Sequence, residues 1–166
     1  MNQPAHDIAL AMVRELEGFR RELALFPDDA SAWKTVPGVT NSAANLALHL
    51  AGNLQYFIGG VLGGTGYVRN REREFGRRSG TREEIGAELD AAIRAVRQVL
   101  PNLSQERFDA PFPEPVMNLS FRTGAFLTHL CAHAAFHLGQ AGYLRRAITG
   151  DAASSGPIPL QPLSQA

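Results

Sequence analysis

The chain has 166 residues, 45% hydrophobic and 19% charged, which is ordinary for one globular domain. Its formal net charge is zero, which argues against a general nucleic-acid binder, because such proteins carry a basic excess. No apolar run approaches the roughly 20 residues that span a bilayer, and we expect no signal peptide because the first residues lack its basic and apolar regions. The single cysteine, Cys131, excludes an internal disulfide and indicates a reducing cytoplasm.

Four segments have the apolar spacing of amphipathic helices. The first is predicted from about Ala5 to Phe26, and the second from about Ser42 to Leu62. Glycines at 59–60 and 63–64 are expected to weaken the end of the second helix. The stretch from Thr65 to Gly80 is predicted to be a long polar connection.

The third helix is predicted to begin at Thr81-Arg82-Glu83-Glu84, which has the pattern of a capping box, and to end near Pro101. The fourth is predicted from about Ser120 to Ile148, with Gly150 as its stop. The sequence therefore predicts an all-α fold, a four-helix bundle over residues 1–150. Residues 151–166 are predicted to form an irregular tail, either disordered or laid on the surface.

Three histidines carry the strongest indication of function. His133 and His137 are four residues apart in the fourth helix, which puts both imidazoles on one face. They share an apolar stripe with Leu130 and Ala141, so both are predicted to face the core. His49 lies in the middle of the second helix. If the helices pack as a bundle, the three side chains can converge on one divalent metal ion and leave a coordination position open.

The type of ligand points to particular chemistry. Neutral imidazole binds zinc, nickel, iron and copper, and catalytic zinc commonly has three protein ligands and one open position. Three neutral ligands leave the ion its full charge, which favours ionising a bound water or thiol. The alternative is a set of core or interface histidines with satisfied hydrogen bonds. For two imidazoles on a core stripe, we weigh the two interpretations equally.

Polar side chains close to the three histidines are candidates to orient a ligand imidazole or to bind substrate. These candidates are Asn45, Asn53, His129 and Gln140. The three amides each lie about one helical turn from a histidine, and ordinary polar contacts at a crevice would explain them equally well. His129 precedes His133 by four residues, but it lies toward the flank of the helix and not on the apolar stripe. We therefore expect it to lie beside the metal ligands rather than to be one of them.

No Asp or Glu lies on the predicted ligand faces, so a metalloprotease-like glutamate base and a di-iron site of paired glutamates are both excluded. A second candidate feature is the run Arg69-Asn70-Arg71-Glu72-Arg73-Glu74-Phe75-Gly76-Arg77-Arg78, which carries five arginines against two glutamates. Such a run can bind an anionic substrate near the mouth of the bundle. We favour a solvated loop.

Two segments, Leu46–Asn53 and His133–Gln140, resemble the DinB-like superfamily of small four-helix proteins. The segment Arg71-x-x-Glu74-Phe75 is similar to one branch of it, and the resemblance covers roughly Ile8 to Ile148. It implies an up-down-down-up helix order, a homodimer, and kinship with thiol-dependent transferases or isomerases. It also implies a metal triad, which falls on His49, His133 and His137.

The leading hypothesis is a metal-dependent, thiol-dependent transferase that acts on a small molecule. Its cofactors would be a divalent ion, zinc or nickel, and a low-molecular-weight thiol. A metal-dependent hydrolase is the second hypothesis, and a non-catalytic metal- or ligand-binding stress-response protein is the third. The fourth is a metal-free bundle that dimerises through apolar helix faces. None of these involves a nucleic acid or a membrane.

Overall fold

The computed structural model describes residues 2–156 and 159–164. They form a helical bundle, and the only β contacts in this part of the chain are two isolated bridges. The helices are α1 (Gln3–Ala24), α2 (Ala43–Leu54), α3 (Arg71–Gly76), α4 (Arg82–Val99), α5 (Gln105–Asp109) and α6 (Thr123–Thr149). The predicted all-α bundle is confirmed. Among the described residues, no helix combines the length and the apolar character needed to cross a membrane.

The four long helices pack in a ring in which α1 and α2 each contact both α4 and α6. Side-chain neighbours at successive levels show that α1 runs parallel to α6 and antiparallel to α4, and that α2 runs antiparallel to α6. Between α1 and α6 the pairs are Gly18–Leu138 and Glu22–Arg145. Between α1 and α4 they are Arg20–Asp90 and Glu17–Arg97. Between α2 with its continuation and α6 they are Phe57–Phe126 and His49–His137. The two helices that carry the predicted ligands are therefore antiparallel neighbours.

The glycines near the end of the second helix do not break it. Instead, α2 continues as a wider, π-helical segment over Gln55–Leu62. Gly59 and Gly63 face α4, where an added Cβ atom would lie 3.3 Å from Ala95 Cβ and 2.5 Å from Val99 Cγ2, respectively. The glycines therefore allow α2 and its continuation to approach α4 closely.

The buried side of α6 differs from the prediction. Its buried residues include Leu127, Leu130, Ala134, Leu138 and Ala141. His133 and His137 are half-buried at the edge of this face. The reason is that α6 has no charged residue between Thr123 and Leu144. The sequence therefore does not mark the solvent side, and two neighbouring rows of residues fit the same helical spacing.

The connection predicted from Thr65 to Gly80 contains the short helix α3, which the sequence analysis missed. The Asn70 side chain caps its N-terminus. Asn45 on α2 donates from Nδ2 to the main-chain oxygens of Glu74 and Arg77, at 2.9 and 3.0 Å. A six-residue helix is too short to show an amphipathic period, and these hydrogen bonds hold it against α2.

Helix ends agree with the predictions to within a few residues. The predicted capping box at Thr81 and Glu84 is present, with each side chain accepting from the other residue's main-chain N–H. Gly150 ends α6 in a left-handed conformation, with φ of 68°, as expected for a glycine stop.

The chain after Gly150 is anchored at its start by a buried arginine. Arg145 is fully buried, pairs with Glu22 at 2.7 Å, and donates to the main-chain oxygens of Asp151 and Ala153. Residues 159–164 include one short turn of 3-10 helix. Residues 157–158 and 165–166 of the predicted tail lie outside the described residues.

Candidate metal centre

The three histidines predicted to share a metal ion lie together between α2 and α6. Nε2 of His133 is 3.4 Å from Nε2 of His49 and 2.8 Å from Nε2 of His137. One ring nitrogen from each histidine lies within 4.8 Å of the other two. In a tetrahedral zinc site, with Zn–N bonds of 2.0–2.1 Å, ligand nitrogens are about 3.3 Å apart. The three nitrogens are thus close to the spacing that one ion requires.

The protonation of these rings suits metal binding. The pKa of His133 is lowered to about 3, mainly by burial and in addition by the neighbouring His137 and His49. Burial also lowers the pKa of His137, although its hydrogen bond to Gln140 opposes this. His133 and His137 are therefore neutral near pH 7, and a neutral imidazole offers the lone pair that a metal ion needs.

Hydrogen bonds on the outer ring nitrogens set the orientation of two of the three imidazoles. His137 Nδ1 donates to Oε1 of Gln140 at 2.8 Å, and His49 Nδ1 donates to Oε2 of Glu74 at 3.0 Å. Arg69 Nη2 also lies 3.1 Å from His49 Nδ1, but it donates to Oε2 of Glu74 at 2.8 Å. Because the carboxylate can only accept, a proton of His49 is assigned to Nδ1, and both rings turn Nε2 toward the shared centre.

Glu74 is the site residue that the sequence analysis missed. The ligand-bearing faces of α2 and α6 carry no acidic residue, as predicted, but Glu74 reaches His49 from α3. Burial raises the pKa of Glu74, yet hydrogen bonds from Arg69 and His49 outweigh this effect and leave the pKa below its usual range. Arg69 donates to both carboxylate oxygens, at 2.7 and 2.8 Å. The carboxylate is therefore ionised and held in place.

The solvated-loop interpretation of the arginine-rich run is wrong for two of its members. The side chains of Arg69 and Glu74 are only 13% and 6% exposed, whereas Arg71 is exposed. The ring of Phe75 packs on the His49 imidazole, with 4.6 Å between centroids, and Arg71 lies over the outer side of Phe75. The run thus folds over His49 and covers one side of the histidine cluster.

A glycine makes room for Glu74 against α2. Gly52 lies three residues after His49, and a Cβ atom at this position would overlap Oε1 of Glu74. A glycine inside a helix costs about 1 kcal/mol relative to alanine, so its presence here indicates a need for space. This mid-helix glycine was the available sequence signal for a side chain packed against α2.

The four candidate neighbours have different surroundings. Gln140 accepts a hydrogen bond from the His137 imidazole, while the Asn45 side chain holds α3. Asn53 is buried, and its Oδ1 has no hydrogen-bond partner within residues 2–156 and 159–164. His129 is exposed and lies nearly parallel to His133, with 6.0 Å between ring centroids. It is not in the cluster of three converging nitrogens.

Replacing Gly52 with alanine is expected to push Glu74 away from His49 and to lower the free energy of unfolding by about 1–3 kcal/mol, since the overlap is with a buried charged group. The matched control is Gly86→Ala on α4, where an added Cβ meets only Arg20 at 3.9 Å or beyond. Urea denaturation monitored by circular dichroism measures both variants. Equal stability of the Gly52 variant and the wild type would contradict the assigned packing.

The comparisons with known proteins agree with this fold. The sequence pattern of the DinB superfamily matches residues 11–141. A crystal structure described as the conserved protein of a locus from Enterococcus faecalis is similar, with a TM-score of 0.70 and 18% identity, over 87% of this chain and 96% of that one. At this identity the similarity concerns the fold alone. No curated protein of known function matches the chain. The family match spans most of the sequence, and the chain belongs to the DinB superfamily.

Proposed function

We propose that the chain is a metal-dependent enzyme in which His49, His133 and His137 hold one divalent ion, zinc or nickel. It would join a low-molecular-weight thiol to a small electrophilic molecule. The observation that carries the proposal is the convergence of three Nε2 atoms, with neutral rings at His133 and His137 and an acceptor on Nδ1 of His49 and of His137. Packing alone gives no reason to gather three imidazoles in this way.

The surrounding residues fit such an ion. When bound, a divalent ion acts as a Lewis acid that lowers the pKa of a thiol or a water. The hydrogen bond from His49 to the ionised Glu74 fixes the ring and raises the basicity of its Nε2. Gln140 holds His137 in the equivalent way.

The state of Glu74 favours a thiol over water as the group that is ionised. Hydrolysis needs a group that accepts a proton from water. Both oxygens of Glu74 already accept hydrogen bonds from Arg69, Oε2 also accepts from His49, and the pKa is lowered, so this carboxylate is a poor base. A thiol, with a free pKa of about 8.5, ionises without such help. In the alternative hydrolase, the exposed His129 or solvent would take the proton.

Metal binding is tested on protein purified without a histidine tag. We expect about one divalent ion per chain in the wild type by elemental analysis and none in His49→Ala. Added metal at 100 times its Kd should raise the unfolding free energy of the wild type by about 2.7 kcal/mol. It should have no such effect on the variant.

Two further variants separate the role of Glu74 from a general change in charge. Glu74→Gln keeps the size of the side chain but removes its negative charge, and we expect metal affinity to fall about 10- to 100-fold. Glu72→Gln removes the same charge from an exposed position of α3 and should leave the affinity unchanged. If the wild-type protein remains metal-free in the presence of saturating zinc and nickel, the proposed metal centre is refuted.

The reaction is tested with mycothiol, bacillithiol or glutathione and a panel of electrophiles, with and without metal. We expect product formation that requires both the metal and the thiol. The thiol loses its S–H proton to solvent and its sulfur forms a bond to carbon, while the electrophile either releases its leaving group or, in an addition, takes up a proton. Mass spectrometry of the products is the measurement. A rate that requires metal but no thiol would indicate the hydrolase. Tight metal binding without any product would favour the non-catalytic stress-response protein.

We also propose that the chain forms a homodimer through α6. Large apolar side chains on this helix are exposed, with Phe136 at 60% and Tyr143 at 79%. The small residues Ala132, Ala135 and Gly139 are exposed beside them. From Ala132 to Tyr143 this face carries no Asp, Glu, Lys or Arg, and Arg146 lies over Tyr143 at its end. Over this uncharged stretch, two copies can meet across a two-fold axis without repulsion.

The dimer is tested by analytical ultracentrifugation of the wild type and Phe136→Glu. The new carboxylates would have to be buried at the interface without partners, so we expect the variant to sediment as a monomer. Val68→Glu, at a residue that is 85% exposed and lies outside α6, is the control and should remain a dimer. A monomeric wild type at micromolar concentration would refute the proposal.

A further inference from the structure

A cleft of about 610 Å³ lies beside the histidine cluster, between the loop at residues 36–41, the start of α2 and the C-terminal half of α6. His137 and Gln140 border it on α6, and Leu46, one turn before His49, borders it on α2. The volume is in the range that holds small organic ligands. One edge of the cleft is thus formed by a residue of the candidate metal centre.

The lining of this cleft carries no ionisable side chain apart from His137 and Tyr143. The apolar part of the wall includes Val39, Leu144 and Ala147, and its polar part includes Thr40 and Asn41. The residues that line the cleft offer a charged ligand no oppositely charged side chain, and the loss of its hydration is costly. The Arg146 guanidinium lies over the Tyr143 ring, 5.7 Å from its centroid, but it is also 3.9 Å from the carboxylate of Glu22. An uncharged ligand with an apolar body would gain burial without that loss.

Gln140 gives the ligand a polar anchor. Its Oε1 accepts from His137, which leaves the amide Nε2 group. In the described part of the chain, no hydrogen bond from that group is present, and it stands at the cleft. It can donate to a carbonyl or similar acceptor within reach of the metal centre.

The opposite side of the cluster has a different character. There His49 meets Glu74 and Arg69, whose charges neutralise each other, and Phe75 packs on the His49 ring. That side is filled by protein. The open cleft at His137 therefore offers a small molecule an approach to the cluster.

We propose that this cleft is the subsite for the second substrate, an uncharged and largely apolar small molecule with a carbonyl-type acceptor that Gln140 binds. Its role as a substrate subsite rests on the proposed metal-dependent function. Binding itself uses only the cleft walls and does not need a metal.

The probe pair is 2-naphthamide and 2-naphthoate, which have the same ring system and differ in charge. Their affinities for the full chain are measured by NMR titration in the metal-free protein. We expect 2-naphthamide to bind and 2-naphthoate to bind at least tenfold more weakly. Equal or tighter binding of the carboxylate, or no binding of either probe, would overturn the proposal.

Two matched variants locate the bound probe. Ala147→Phe fills the cleft from an exposed position of α6 and should weaken 2-naphthamide binding at least tenfold. Ala125→Phe makes the same change at an exposed position of α6 that does not line the cleft, and it should leave binding unchanged. Circular dichroism confirms that both variants are folded. Binding that is indifferent to the change at Ala147 would place the probe elsewhere and overturn the proposal.

The link to the metal centre has its own readout. With cobalt(II) bound, as established by elemental analysis, the protons of bound 2-naphthamide should relax faster than with zinc, because they lie close to a paramagnetic ion. Unchanged relaxation would overturn the assignment as a substrate subsite. If no metal binds at all, the proposed function fails, while the comparison of amide and carboxylate still decides what the cleft accepts.

Discussion

The hydrogen bond between His49 Nδ1 and the buried carboxylate of Glu74 is the interaction on which the histidine cluster depends. It fixes the proton on one nitrogen of the ring and so exposes the other to the shared centre. The carboxylate remains ionised in a buried position because Arg69 donates to both of its oxygens and His49 donates to one of them. Removing one partner of such a buried pair leaves an uncompensated charge, which is strongly unfavourable. The cluster, α3 and the preceding loop therefore form one unit.

This unit gives the histidine cluster two unlike sides. On one side, α3 closes over His49 with charges that are paired and with the ring of Phe75. On the other, His137 borders an open cleft whose walls are mostly apolar and carry no charge. The proposed enzyme, which would join a thiol to an electrophile, needs a fixed ligand set and an accessible space beside it. The covered side of the cluster would supply the first and the cleft the second.

Much of the fold could be predicted from the sequence because the long helices have recognisable signals. These are the apolar spacing, the caps and the glycine stops, as at Thr81 and Gly150. His133 and His137 could be found for the same reason, since a spacing of four on a helix is visible in the sequence. His49 could be found from its position in the middle of the second helix and from the resemblance to a known family. Glu74 could not be found. Its contact with His49 spans 25 positions of the chain and depends on a helix of six residues, too short to show a period.

The burial of α6 shows a different limit. A helix whose surface is made of alanine, glycine and histidine has little contrast between its two sides, so spacing alone does not fix its rotation. The prediction that His133 and His137 face the core was wrong, because the neighbouring row with Ala134 and Leu138 is the buried one. The two histidine rings at its edge still contact the ring of His49. Long side chains at the edge of a buried face reach a neighbouring helix as readily as those at its centre.

The outer nitrogens of the three imidazoles are not equivalent. Turning the ring of His49 or His137 breaks a hydrogen bond to Glu74 or Gln140, whereas Nδ1 of His133 has no acceptor among the residues placed by the structure. Rotation of that ring about its Cβ–Cγ bond sacrifices no such bond. If the proposed ion is bound, His133 would accordingly be the imidazole least fixed in orientation, and His49 and His137 the two held in place by hydrogen bonds.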